Sequence, residues 1–177
     1  MGSASVSVKP DGTFALKNVV ASEVYDVTLA GAPEDFYLKA ARLGSDNVLE
    51  EGLSVAPGRQ SSALELVLSS AGGQIDGIVV SEQGFDGALV VLVPESPHRG
   101  QARLYKTTTP DQYGHFTLRG IAPGDYKLFA WEDIEAGAYQ DADFLRPYEE
   151  RGETLRVVEA DHHSARQKLI SSDVTPR

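Results

Sequence analysis

The chain contains no cysteine. That excludes disulfides, thiol nucleophiles and cysteine-ligated metals. It leaves the redox compartment open, because a sheet domain of this size folds without bridges. Tryptophan and methionine occur once each, and bases are scarce, with 16 Lys and Arg against 26 Asp and Glu. The net charge of −10 excludes a surface built to bind nucleic-acid phosphates and describes a solvated acidic surface. No apolar run approaches the roughly 20 residues of a membrane-spanning helix. Met1-Gly2-Ser3 reads as an expression remnant rather than a signal peptide, so a natural targeting segment is not legible. A hydrophobic content of 41% over 177 residues is enough for a packed core, in one large domain or two small ones.

The stretch Thr109–Trp131 organises the chain. Alternation places Phe116 and Leu118 on one strand face, with His115, Thr117 and Arg119 on the other. Pro123-Gly124 predicts a type II turn, with proline presetting φ and glycine accepting φ > 0. The second arm then places Tyr126, Leu128 and Ala130 on one face, and Lys127, Phe129 and Trp131 on the other.

This unit has an earlier echo. Phe14 answers Phe116 and Leu16 answers Leu118, both at an offset of 102, within Lys9–Val19 and Thr109–Ile121. After a one-residue insertion, Tyr25, Val27 and Leu29 answer Tyr126, Leu128 and Ala130. Leu64–Ser70 and Ala165–Ser172 end the copies alike. Self-similarity over this span predicts tandem domains, residues 1–70 and 71–177, joined by a flexible link at Ser70-Ala71-Gly72-Gly73.

Strands are predicted at Gln74–Ser81, Ala88–Pro94, Ala102–Thr108, Thr154–Val158 and Ala165–Ile170 in the second copy, and at Phe36–Leu43, Leu53–Val55 and Ala63–Ser69 in the first. Only Ala4–Val8 precedes the first hub, so the first copy lacks counterparts of about two early strands. The expectation is a domain incomplete at its N-terminus, with an open sheet edge that invites another chain. One short helical turn is predicted near Asp143–Arg151, capped by Asp143, ended by Gly152 and limited by Pro147.

The runs DGTFALKNV in the first copy, and YGHFTLRGIAPGDYKLFAW with the preceding GQIDGIVVSEQGFDGALVVLVPE in the second, resemble the carboxypeptidase regulatory-like domains. These are also called transthyretin-like or prealbumin-like and are grouped with carbohydrate-binding-like folds. APGDYKLFAWEDIEAGAY is similar to tandem modules of large acidobacterial surface or secreted proteins. The resemblance implies an all-β protein of tandem seven-stranded Greek-key β-sandwiches, without catalysis. It also implies export, an accessory role beside other domains of a parent protein, and no cofactor. A related group crosslinks strands through a Lys–Asn isopeptide bond. Gln74–Ser81 holds no lysine for it.

The most unusual segment is Glu132–Arg151. It carries seven acids against two bases, a net charge of −5, and four apolar side chains of interest, Tyr139, Phe144, Leu145 and Tyr148. Phe129 and Trp131 fall on the outer face of their strand and need a cover or a ligand. Phe144, Leu145 and Tyr148 are the candidate cover. The functional alternative is an aromatic platform of Phe129, Trp131, Tyr139 and Tyr148 that stacks a sugar or a peptide. Asp141 and Asp143 are the calcium candidates, without an EF-hand loop around them. His162-His163 reads as a solvated turn, since neighbouring residues of a strand point to opposite faces. His98 and His115 are single, and neither HExxH nor GxSxG spacing occurs. A hydrolase would need His115 or His162 to meet a carboxylate and a nucleophile. The leading expectation is a structural or interaction module. Carbohydrate binding is the rival.

Overall fold

The computed structural model describes residues 5–17, 19–21, 23–56, 63–82 and 84–171. Two compact units divide the chain: Met1–Leu29 with Leu38–Val67, and Ala30–Tyr37 with Leu68–Arg177.

The first unit contains strands β1 (Val24–Tyr25), β2 (Tyr37–Leu43), β3 (Asp46–Asn47), β4 (Leu53–Ser54) and β5 (Leu64–Ser69), with a four-residue helix α1 (Val48–Glu51). β1 pairs antiparallel with β4, and a second sheet runs β3-β2-β5. Asn47 caps α1, its side-chain oxygen accepting from the Leu49 amide at 3.2 Å. A small core of Ala41, Leu43, Val48 and Leu53 is buried, and Leu16, Tyr25, Val27 and Leu66 pack against it half-exposed. Residues 5–8, which precede the first hub, form no regular element.

The second unit contains seven strands: β6 (Gly73–Val80), β7 (Leu89–Pro94), β8 (Lys106–Thr108), β9 (His115–Ile121), β10 (Gly124–Trp131), β11 (Glu153–Val157) and β12 (His162–Lys168). They form two sheets, ordered β11-β10-β7-β8 and β12-β6-β9. Every pairing is antiparallel except β12 with β6. The chain leaves the first sheet after β8, adds β9 to the second, and returns as β10 beside β7, the interlocked order of a Greek key. Ile75, Val79, Phe116, Leu118 and Ala165 of one sheet meet Val90, Leu92, Tyr126, Leu128, Leu155 and Val157 of the other in one core. The fold is an all-β sandwich.

Patterning explains each strand. β9 alternates as expected, with Phe116 and Leu118 inward and His115, Thr117 and Arg119 exposed. β7 carries the continuous run Val90-Val91-Leu92-Val93, each 0% exposed. It sits inside its sheet, and both of its faces are covered. Gly77 on β6 faces Phe116. A methyl there would lie 2.3 Å from the Phe116 Cζ atom, so glycine lets the ring lie across the strand.

Several expectations are corrected. Gly124 does not adopt positive φ. Gly120, four residues earlier, does, at φ 61° within β9. Its position is set by the 30–37 segment, because a Cβ on Gly120 would meet the Glu34 and Phe36 carbonyl oxygens at 2.4 and 2.6 Å. Gly72 and Gly73 are placed within the second unit. The Gly72 amide donates to the Asp35 carbonyl at 3.2 Å, and Gly73 is buried at the start of β6. Ala102–Leu104 is a 3₁₀ turn, which shortens the strand expected there to Lys106–Thr108. The predicted helical turn is real but is capped two residues earlier, by Asp141.

Candidate functional site

The outer face of β10 is where the sequence concentrates its aromatic and acidic residues. Strand alternation turns Lys127, Phe129 and Trp131 away from the main core. Phe129 is 0% and Trp131 2% exposed, so that face is nonetheless closed. Their rings stack, with centroids 4.9 Å apart and planes 17° from parallel.

The cover comes from the segment that follows β10. Helix α2 (Ala142–Leu145) is capped by Asp141, whose Oδ1 accepts from the Asp143 amide at 2.8 Å. The chain continues as a 3₁₀ turn, Arg146–Arg151. Pro147 suits its opening, where an amide would have no helical partner. This geometry drops Leu145 into the face, 1% exposed, against Val91 and Val93 of β7 and Ile170. Phe144 packs on Trp131 at 5.8 Å, and Tyr148 meets it edge-on at 5.9 Å and 87°. Tyr139 and Ile134 pack at the margin, and Tyr139 lies 6.0 Å from Tyr105. Gly152 completes the fit, because a Cβ there would lie 2.6 Å from the Phe129 ring. Among the described residues, the buried Trp131 indole nitrogen meets no hydrogen-bond partner.

Charges anchor the rim. Lys127 donates to the Glu149 carboxylate at 2.8 Å and to the Glu149 backbone carbonyl at 3.0 Å. Arg99 donates to the other Glu149 oxygen, and Glu95 lies 3.9 Å from both bases. The Arg99 hydrogen bond leads, ahead of Lys127, in holding the Glu149 carboxyl down at about 2. Inside the rim, the buried Gln167 amide donates to the Arg151 carbonyl at 3.0 Å. Beyond β12 the Ile170 backbone bridges Trp131, with Ile170 donating to Ala130 and accepting from Glu132 at 2.8 and 2.9 Å.

The sequence candidates therefore come together as packing. Phe129 and Trp131 present no open ring face, and Tyr148 and Phe144 close over them. An exposed platform of Phe129, Trp131, Tyr139 and Tyr148 is not formed. Asp141 is committed to the α2 cap, and Asp143 accepts from Arg146 at 2.5 Å. Among the described residues, no three metal-ligating side chains converge.

His162-His163 is corrected as well. Both residues begin β12 rather than occupying a turn. Their rings bind different carboxylates, as opposite strand faces require: His162 Nε2 meets Asp76, and His163 Nε2 meets Asp161 at 2.8 Å. Asp76 also accepts from Thr117 at 2.6 Å and from Gln74 at 2.7 Å. The Thr117 hydrogen bond, then that of His162, lowers its carboxyl to about 2. The Thr117 hydroxyl thus binds the carboxylate, not the imidazole. That order gives a polar ladder across β9, β6 and β12, and no activated nucleophile. His115 is exposed on β9, and His98 opens a 3₁₀ turn.

No known protein family profile matches the chain, and no curated protein matches it. Two of the solved structures to which the chain is similar are pilin subunits. One is BcpA, the major pilin subunit of Bacillus cereus, at 13% identity and a TM-score of 0.32, covering 62% of this chain and 34% of that one. The other is GBS52, the minor pilin of Streptococcus agalactiae, at 15% identity and a TM-score of 0.31, covering 84% of this chain and 65% of that one. The chain spans about a third of the first and just under two thirds of the second. Similarity this low carries no argument about function.

Proposed function

We propose that this chain is a non-catalytic structural and interaction module of a larger exported or cell-surface protein. It is built from two tandem carboxypeptidase regulatory-like units, and its partners are other domains of that parent. The observation that carries this reading is a repeated strand register. Tyr25 pairs with Leu53 across β1 and β4, and Tyr126 pairs with Leu155 across β10 and β11. The sequence repeat aligns Tyr25 with Tyr126, and each tyrosine has a leucine as its cross-strand partner. Two copies of one pairing support serial modules of one type, whose work is spacing and presentation.

The closed face of β10 favours the same reading. Phe129 and Trp131 are taken up by a second core cluster, so this face offers neither of those two rings to stack a sugar. Pulling the full chain between terminal handles in a single-molecule experiment tests the module role. The second unit unfolds in one abrupt step, releasing roughly 330 Å of contour for about 100 residues. Gradual extension without a step contradicts a load-bearing spacer.

A further inference from the structure

The two outer faces of the second unit differ in charge. The outer face of β10 is closed by the Glu132–Arg151 segment, which carries a net charge of −5. The outer face of the β12-β6-β9 sheet lies on the opposite side of the core, because the two sheets pack face to face. There β9 presents His115, Thr117 and Arg119, and β12 presents Ser164, Arg166 and Lys168, all exposed. Neither strand holds an acid, and β6 between them holds one, Asp76. With the histidines neutral, Arg119, Arg166 and Lys168 against Asp76 leave this face at +2 in a chain of −10.

The strand register sets where that charge is free. At one end Asp76 is taken up by Thr117, Gln74 and His162, and Arg119 meets Asp35 at 3.2 Å. Toward the other end Ile78 lies between His115 and Arg166, and Val80 lies beside Lys168. Among the described residues, Arg166 and Lys168 meet no carboxylate. The chain enters β6 at Gly73, so Val80 lies a strand length, about 23 Å, from that entry. Half-buried Ile78 and exposed Val80, flanked by unpaired bases, have the chemistry of a protein interface, with an apolar centre and a charged rim.

From this we infer that the Ile78–Val80 end of the β12-β6-β9 face docks the acidic Glu132–Arg151 face of a second copy of the chain, head to tail. Charge complementarity selects that occupant. On the covering segment Asp133, Glu135 and Glu150 are exposed and, among the described residues, meet no base. Arg166 and Lys168 of one copy lie against Asp133 and Glu135 of the next. Opposite charges across the contact steer the encounter and fix its orientation. The contact joins two different surfaces on opposite sides of one unit, so it does not close by twofold symmetry and extends from copy to copy. Both surfaces belong to the second unit, and the inference therefore does not depend on the tandem reading above.

The test is the average mass of the full chain by sedimentation equilibrium, over a concentration series reaching about 1 mM. In about 20 mM salt the mass rises past twice the monomer's, and in about 0.5 M salt it stays at the monomer's. Two charge-reversed variants follow: Arg166→Glu with Lys168→Glu, and Asp133→Lys with Glu135→Lys. All four positions are exposed, and both variants melt as the wild type does. Each variant alone stays monomeric in low salt, because its two faces then carry the same sign. Mixed in equal amounts they associate again, since each offers the other an opposite charge at both kinds of contact. A wild type that stays monomeric in low salt overturns the inference. So does association that stops at a dimer, persists in about 0.5 M salt, survives either reversal or fails to return on mixing.

Discussion

Phe129 and Trp131 lie two residues apart on one strand, and their rings stack face to face at 4.9 Å beneath Leu145. Leu145 is the cover's most buried side chain, and it reaches the face because Asp141 starts α2 four residues earlier. Leu145→Ala removes that plug and leaves a cavity over the ring pair. The expected loss is about 2–4 kcal/mol in the second unit, read by urea denaturation. A red shift in Trp131 emission accompanies it. Unchanged emission and stability would mean that the cover does not pack as described.

The rim makes the fold sensitive to acid. The Glu149 carboxyl titrates at about 2 in the folded unit, below its ordinary 4.5. A depressed folded value stabilises the fold fully above the ordinary value, and that contribution is lost as pH falls from about 4.5 toward 2. Glu149→Gln is therefore less stable than the wild type at neutral pH, by on the order of 1–3 kcal/mol. The gap closes as the pH approaches 2. Denaturant midpoints at several pH values measure it, and a constant gap contradicts the linkage.

Two glycines close together separate two physical effects. Gly120 has φ 61° and backbone carbonyls where a methyl would go, while Gly124 lacks positive φ and has the Tyr126 ring 3.2 Å from such a methyl. Gly120→Ala is expected to cost about 2 kcal/mol or more, and Gly124→Ala about 1 or less. Thermal melts rank the pair. The reverse order would restore the type II turn.

Tyr37 donates to the Glu159 carboxylate at 2.6 Å, which ties the end of the 30–37 segment to the second unit. Tyr37→Phe is expected to lower that unit's stability by about 1 kcal/mol, with faster exchange in β11. No change in β11 exchange would place the segment outside that unit.

Much of this was legible in the sequence, for identifiable reasons. Period-two alternation assigned the faces of Phe116, Leu118, Tyr126 and Leu128, and the run Val90–Val93 already read as a strand. Alternation also showed that Phe129 and Trp131 needed something above them, but not which segment. The choice between cover and ligand depended on how far Pro147 and the Asp141 cap turn the chain back, which is a matter of geometry. Pro123-Gly124 did not form the expected turn, and the positive φ falls on Gly120 instead. Residues 34–36, over eighty positions away, demand the left-handed glycine at Gly120. His162 and His163 were read as a turn because their carboxylate partners, Asp76 and Asp161, could not be paired before β6 and β12 were placed side by side.

Trp131 is the chain's single tryptophan, so its fluorescence reports on the central claim directly. The emission maximum and iodide quenching are recorded first, followed by titration with soluble polysaccharides and calcium. A blue-shifted signal that iodide does not quench and no addition moves is the predicted result, and it makes the ring pair a core beneath its loop. A red-shifted, quenchable signal that shifts saturably with one glycan would contradict the account and make the face of β10 a binding site.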